Sequence, residues 1–279
     1  MSSLTLSRPG APAISYSLHR PSGAVAGAVL LTHGYAEHAG RYDEVVDALV
    51  ARSLLVARYD LRGHGHSEGP RGHVDRFSEY IEDATALLGQ LRKDAAFRDA
   101  GAPVLLGHSL GGLISFHLAL SDPGSFRAVV LSSPFFGLAL AVPAPKRLAG
   151  RVLSRILPKV GLPSGLRGAD LTHDAVKARA YDEDPMLVPK ATARWFTEAM
   201  KAQADAFERA PSMQLPIAIF AGAEDKVAST PAAEALFARI GSSNKRFEAL
   251  AGQYHEIFNE VDRARWIAMA ADAVLGFAR

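Results

Sequence analysis

A chain of 279 residues, 48% hydrophobic and 22% charged, is long enough for one α/β domain with an insertion, and its composition excludes disorder, collagen-like repeats and simple coiled coils. Its 31 basic and 29 acidic side chains leave a formal charge of +2 with no long basic run, which excludes the electrostatic footprint of a nucleic-acid binder and points to a small-molecule partner. Cysteine is absent, so a disulfide framework, a thiol nucleophile and Cys-ligated metals are excluded as well.

Residues 1–10 lack the apolar run of a signal peptide, and nowhere do about 18 apolar residues follow one another. A soluble, cytoplasmic protein is expected. Weak alternation over the first 20 residues suggests an antiparallel edge hairpin. Short apolar runs then predict strands at Ala28–Thr32, Leu54–Tyr59, Val104–Leu106, Ala128–Ser132, Ile217–Ala221 and Arg246–Leu250. Helical patterns between them predict Tyr42–Arg52, Val74–Arg92, Leu110–Ser121, Pro231–Ile240 and Asp262–Phe277. Apolar strands alternating with helices indicate a mostly parallel sheet covered on both faces.

From Pro134 to Pro211 this rhythm stops, and prolines and glycines divide the segment into what read as short helices. The expected division is therefore a core of residues 1–134 and 211–279 with an inserted helical cap at 135–210. The cap holds 12 basic against 8 acidic residues, so the positive charge of the chain concentrates there.

Two stretches match G-x-S-x-G, the turn in which flanking glycines let a strained strand-to-helix connection lift a serine above a sheet edge. Gly107-His108-Ser109-Leu110-Gly111 follows Pro-Val-Leu-Leu and opens an apolar helix, so strand, turn and helix are in place. Gly65-His66-Ser67-Glu68-Gly69 runs into Gly-Pro-Arg-Gly, where no helix can start at once. Ser109 is therefore the expected nucleophile and Ser67 a loop residue. A serine needs a base, and the base an orienting carboxylate, in the chain order Ser, acid, His for such a sheet. Asp225 stands just past the strand ending near Ala221, and His255 just past the strand ending at Leu250. Acyl transfer also needs two oxyanion donors, expected from the amides of Leu110, which follows the nucleophile, and Tyr35, which follows the strand end Leu31-Thr32-His33-Gly34. His33 precedes the nucleophile in the chain and reads as loop scaffolding.

The blocks His33 to Tyr42, Asp60 to Gly69 with Arg71-Gly72-His73, Gly107 to Gly112, Ser132-Ser133-Pro134, Gly222 to Val227 and Tyr254 to Glu260 cover most of the chain. In these blocks the sequence resembles the monoacylglycerol lipase and lysophospholipase branch of the α/β-hydrolases. That resemblance implies the α/β-hydrolase fold, a triad of Ser109, Asp225 and His255, an oxyanion hole of the Tyr35 and Leu110 amides, no cofactor, and a cap over an acyl tunnel. It also implies that Glu37 and Arg41 hold the oxyanion loop and face the polar head group. Tyr35 and Leu110 depart from the usual pattern, where a small or aliphatic residue and a methionine are common.

His64, His66 and His73 share one loop at spacings that invite a metal reading, but no carboxylate and histidine pair at helical spacing accompanies them, so no metal is expected. In the cap, Arg147, Arg151 and Arg155 fall on one helical face and Leu148, Val152, Leu153, Ile156 and Leu157 on the other. Such a helix suits peripheral contact with an anionic membrane, its apolar face meeting an acyl chain; a merely solvated basic face is the alternative. The expected activity is ester hydrolysis of single-acyl lipids, monoacylglycerol first. A lysophospholipase, a broad carboxylesterase, a serine aminopeptidase-like enzyme and a non-catalytic binding module remain as alternatives.

Overall fold

The computed structural model describes residues 3–140 and 144–279, the side chains of 144–149 excepted. Among the described residues, ten strands follow in chain order: β1 (Leu4–Arg8), β2 (Ala11–His19), β3 (Gly27–Thr32), β4 (Leu54–Tyr59), β5 (Val104–His108), β6 (Ala128–Ser132), β7 (Gly161–Pro163), β8 (Lys190–Thr192), β9 (Ile217–Gly222) and β10 (Lys245–Leu250). Eight of them form one sheet in the order β1-β2-β4-β3-β5-β6-β9-β10. The expected terminal hairpin is present: β1 and β2 pair antiparallel, and β2 runs antiparallel to β4. Every other pair in the sheet is parallel.

The helices are α1 (Asp43–Val50), α2 (Ser78–Leu91), α3 (Ala95–Asp99), α4 (Leu110–Ser121), α5 (Ala144–Ile156), α6 (Gly168–Leu171), α7 (Ala175–Asp182), α8 (Ala193–Arg209), α9 (Thr230–Arg239) and α10 (Arg263–Ala278). The central strands are buried along their whole length because helices cover both faces. Alternate residues of β3 serve different cores: Ala28 and Leu30 pack with residues of α2, α4 and α8, whereas Val29 and Leu31 pack with residues of α1 and α10. This is α/β-hydrolase architecture. Helix α4 is buried on every side because the sheet, α2 and α8 enclose it.

The structure departs from the sequence reading in three places. Helix α2 begins at Ser78 rather than Val74, because the Glu79 carboxylate accepts the Asp75 amide at 3.0 Å and the segment before it folds as a turn. The five-residue α3, capped by the Asp94 side chain, was not expected. Between β6 and β9 the segment is not cut into short helices alone: α8 runs 17 residues, and β7 pairs antiparallel with β8.

Candidate active site

The turn after β5 carries Ser109 with φ 51° and ψ −118°, a conformation that costs a non-glycine residue strain and lifts its side chain above the sheet edge. The flanking glycines make that turn possible. A Cβ on Gly107 would meet the Gly111 carbonyl, and one on Gly111 would meet the Thr32 and His33 carbonyls of the neighbouring strand end. Nothing but hydrogen fits at either position.

Ser109 Oγ lies 2.9 Å from His255 Nε2, and His255 Nδ1 lies 2.7 Å from Asp225 Oδ2. A carboxylate only accepts, so Nδ1–H donates to Asp225 and Nε2 is left to accept from the serine hydroxyl. Asp225 Oδ1 accepts from the Val227 and Ala228 amides, which fixes its rotamer. Burial alone pushes the His255 pKa down, but Asp225, with smaller help from Glu256 and Glu37, carries it above its ordinary value of 6.5. The three residues come from the carboxyl ends of β5, β9 and β10, and parallel register brings those ends together.

Ser67 sits elsewhere. Its hydroxyl donates to the Asp60 carbonyl at 2.6 Å and accepts the Ser15 amide at 2.9 Å, pinning the loop after β4 to the hairpin.

Tyr35 and Leu110 line the same cavity as Ser109 and His255, and among the described residues neither amide is engaged by another group. The bulk of Tyr35 is accommodated away from the reacting atoms. Its hydroxyl reaches the carbonyls of Gly72 and Lys190, and its ring stacks on Trp195 with centroids 3.8 Å apart. His33 is scaffolding, as expected: Nδ1–H donates to the Gly34 carbonyl at 2.7 Å and Nε2 accepts the Leu61 amide at 2.9 Å. Burial pushes it down to about 3, so it stays neutral.

Glu37 holds the loop from inside. Its Oε1 accepts the Gly34 amide and the Tyr42 hydroxyl, both at 2.6 Å, and burial pushes its carboxyl up to about 7, opposed by Arg41 and aided by Glu256. Arg41 contacts Glu37 at 3.2 Å and grips both oxygens of Glu256 at 2.7 and 2.8 Å. Glu37 and Glu256 line the cavity, whereas Arg41 stands behind them beneath the Tyr181 ring, so the expectation that Arg41 itself faces the head group is corrected.

The profile of the family described as Serine aminopeptidase, S33 matches residues 23–262. Monoacylglycerol lipase of Mycolicibacterium smegmatis is 33% identical over 259 residues, covering 91% of this chain and 90% of that protein. The chain belongs to the monoacylglycerol lipase and lysophospholipase branch of the α/β-hydrolases. Phospholipase YtpA of Bacillus subtilis is 30% identical over 238 residues, covering 84% of this chain and 90% of its own. The crystal structure of Paleococcus ferrophilus monoacylglycerol lipase superposes with a TM-score of 0.85 at 25% identity, covering 94% of this chain and 99% of that one. As a member of this branch the protein is a carboxylic ester hydrolase.

In this α/β-hydrolase the space above Ser109 is a cavity of about 360 Å³, with apolar walls from Leu138, Leu153, Leu162, Leu166, Phe196 and Val227. Of the apolar cap-helix residues expected to turn inward, Leu153 lines this cavity, joined by Leu162 and Leu166 from the segment that follows. Val152, Ile156 and Leu157 instead point outward, with 48%, 69% and 53% of their surface exposed, and Leu148 lies outside the described side chains, as does Arg147. The rotation of α5 is set by α8, because the Arg194 guanidinium binds the Ser154 carbonyl and hydroxyl and draws that edge inward.

His64, His66 and His73 face separate surroundings. His64 is buried and donates to the Arg62 carbonyl, His66 is exposed, and His73 bonds the Thr192 hydroxyl. Among the described residues no group of three or more His, Cys, Asp or Glu side chains is arranged to hold a metal ion.

Three site residues escaped the sequence reading. Glu256 was legible only as the residue next to His255. His108 lines the cavity 4.9 Å from the His255 ring, and burial together with that neighbour holds it well below its ordinary pKa. Glu260, almost fully buried, accepts the amides of Tyr254 and His173 and so ties the His255 loop to the segment before α7. A carboxylate pair close behind a histidine was the available signal.

Proposed function

We propose that the protein hydrolyses monoacylglycerol to fatty acid and glycerol through an acyl-enzyme on Ser109. The observation that carries this reading is the cavity that opens onto Ser109, apolar toward Leu153 and Leu162 and polar at Glu37 and Glu256. Its volume of about 360 Å³ is at the low end for ligand pockets, which favours a lipid with one acyl chain over one with two or three. A chain lying there gains roughly 0.8 kcal/mol per buried methylene.

His255 Nε2 takes the Ser109 proton as Oγ attacks the ester carbonyl, and Asp225 stabilises the imidazolium that forms. The Tyr35 and Leu110 amides, the latter at the N-terminus of α4, hold the oxyanion. The protonated His255 passes its proton to the departing glycerol oxygen. Water then repeats the cycle on the acyl group with His255 as base. Residues 135–210 act as the cap over the chain.

Membrane contact through the cap is part of this proposal. Val152, Ile156, Leu157 and Val160 of the cap are exposed, as are Arg151 and Arg155, a composition that favours an anionic interface. Among the described residues no helix is long and apolar enough to cross a membrane.

The test is release of glycerol and fatty acid from monoacyl- and triacylglycerol emulsions, alongside an aminoacyl p-nitroanilide. Turnover of monoacylglycerol well ahead of the other two is expected. Comparable rates on mono- and triacylglycerol, or a faster anilide, would overturn the reading.

A further inference from the structure

The polar end of the cavity is unusual in its charge. Its titratable lining consists of Glu37, Glu256, Tyr35, Tyr181, His108 and His255, and no lysine or arginine is among its described walls. The nearby cation that serves this end, Arg41, is already spent: both its terminal nitrogens are bound to Glu256, and one also reaches Glu37. Asn259 Nδ2 donates to Glu256 at 2.8 Å and the Tyr42 hydroxyl to Glu37, so the remaining partners are neutral. One guanidinium therefore faces two carboxylates.

All three groups are buried, with 10% of the Arg41 side chain and 5% or less of the two carboxylates exposed. Charge in such surroundings is weakly screened, so the surplus is felt by whatever enters the cavity. The two histidines do not offset it: His108 is held neutral by burial and its histidine neighbour, and His255 must be neutral to act as a base. An uncharged polyol can meet carboxylate oxygens with its hydroxyl donors. A phosphate brings only negative charge and acceptors, and meets no free cation among the described walls.

We infer that Glu256, together with Glu37, is a specificity determinant that excludes single-acyl lipids bearing an anionic phosphate head and admits those with an uncharged polyol head. This rests on the monoacylglycerol reading above and deepens it, since one relative is named a phospholipase and the fold accommodates either head group. Selection works here by repulsion, a surplus negative charge built against the wrong substrate. Glu256 sits next to His255 in the chain and is held rigidly by three hydrogen bonds, which gives the repulsion a fixed place.

The experiment compares kcat/KM on a monoacylglycerol and on the lysophosphatidate of the same acyl chain, both in one neutral detergent at pH 8, where Glu37 is ionised. The wild-type protein is expected to favour the neutral lipid at least ~tenfold, and Glu256→Gln to narrow that ratio by about tenfold, the order of one unscreened charge several ångströms away. Glu256→Asp, which keeps the charge, is expected to keep most of the wild-type ratio. Glu37→Gln removes the other carboxylate and gives the same reading if Glu256→Gln does not fold. Equal wild-type rates on the two lipids, or a ratio untouched by either Gln variant, would overturn the charge selection and leave monoacylglycerol hydrolysis standing. Turnover of a neutral aryl ester with none of either lipid would overturn both.

Discussion

Arg41 and Glu256 stand 215 positions apart in the chain, yet two guanidinium nitrogens meet two carboxylate oxygens at 2.7 and 2.8 Å. Through Glu37, which holds the Gly34 amide, the same arginine joins the loop carrying Tyr35 to the loop carrying His255. In the proposed reaction, oxyanion binding and proton transfer are thereby linked through one buried cation. A bidentate arginine pair with little solvent around it is among the stronger polar contacts a protein makes.

Ser109→Ala, Asp225→Asn and His255→Ala are each expected to lower esterase turnover by at least ~10³-fold while the fold survives, because members of one proton-transfer chain act together and their losses do not add. The Ser109→Ala, His255→Ala double variant should resemble the worse single variant. Ser67→Ala should retain turnover, and a fluorophosphonate probe should label Ser109 alone. Labelling at Ser67 would reverse the choice between the two G-x-S-x-G turns.

The acid limb of kcat/KM should lie above the ordinary histidine value of 6.5, since Asp225 raises His255 and only the neutral imidazole accepts the serine proton. Asp225→Asn removes the charge that favours the imidazolium, so the residual activity should show that limb displaced to lower pH. A limb at or below 6.5 in the wild-type protein, or one that does not move in the variant, would contradict the assignment.

Glycines separate close packing from helix propensity. Gly111→Ala drives a methyl into the Thr32 and His33 carbonyls, and a loss of about 1–3 kcal/mol or more is expected. Gly89→Ala, in α2 with nothing within 4 Å, should instead stabilise by about 0.5–1 kcal/mol. Urea midpoints of the two variants measure both, and equal midpoints would remove the packing explanation of the turn.

Binding to anionic vesicles should weaken at least ~tenfold in Arg151→Glu, Arg155→Glu, each charge contributing about 1 kcal/mol near such a surface. Ile156→Ser should also weaken binding, and in a salt-independent way, because its exposed side chain contributes apolar area rather than charge. Hydrolysis of a soluble short-chain ester should be little changed in either. Unaltered vesicle binding would leave the basic face as a solvated helix surface.

Much of the fold was legible because local pattern encodes it. The runs at residues 27–31 and Ile217–Gly222 are apolar throughout, as a strand covered on both faces requires, and the elbow declares itself through glycines that must admit a carbonyl. Chain order and position at strand ends pointed to Asp225 and His255, and parallel register then brings those ends into one crevice. The segment between β6 and β9 was harder to read, since its prolines and glycines suggested breaks while the 17-residue α8, capped by the Thr192 hydroxyl, is held by packing against α4 and α5.

What the sequence by itself determined was therefore the kind of element, the side of a strand and the end at which a reactive residue stands, because these follow from periodicities of two and 3.6 residues and from the backbone needs of glycine. The tertiary structure alone decided which partner each charge found and which face of a helix turned inward. Arg41 had several acidic residues within conceivable reach, and only the meeting of two loops 215 positions apart chose Glu256 over a head group. Helix α5 carried an apolar and a basic face in its sequence, yet Leu153 turned to the cavity and Val152 and Ile156 to the outside because Arg194 of α8 captured Ser154. Pairings of this kind depend on the summed packing of distant elements, and no local window of sequence contains it.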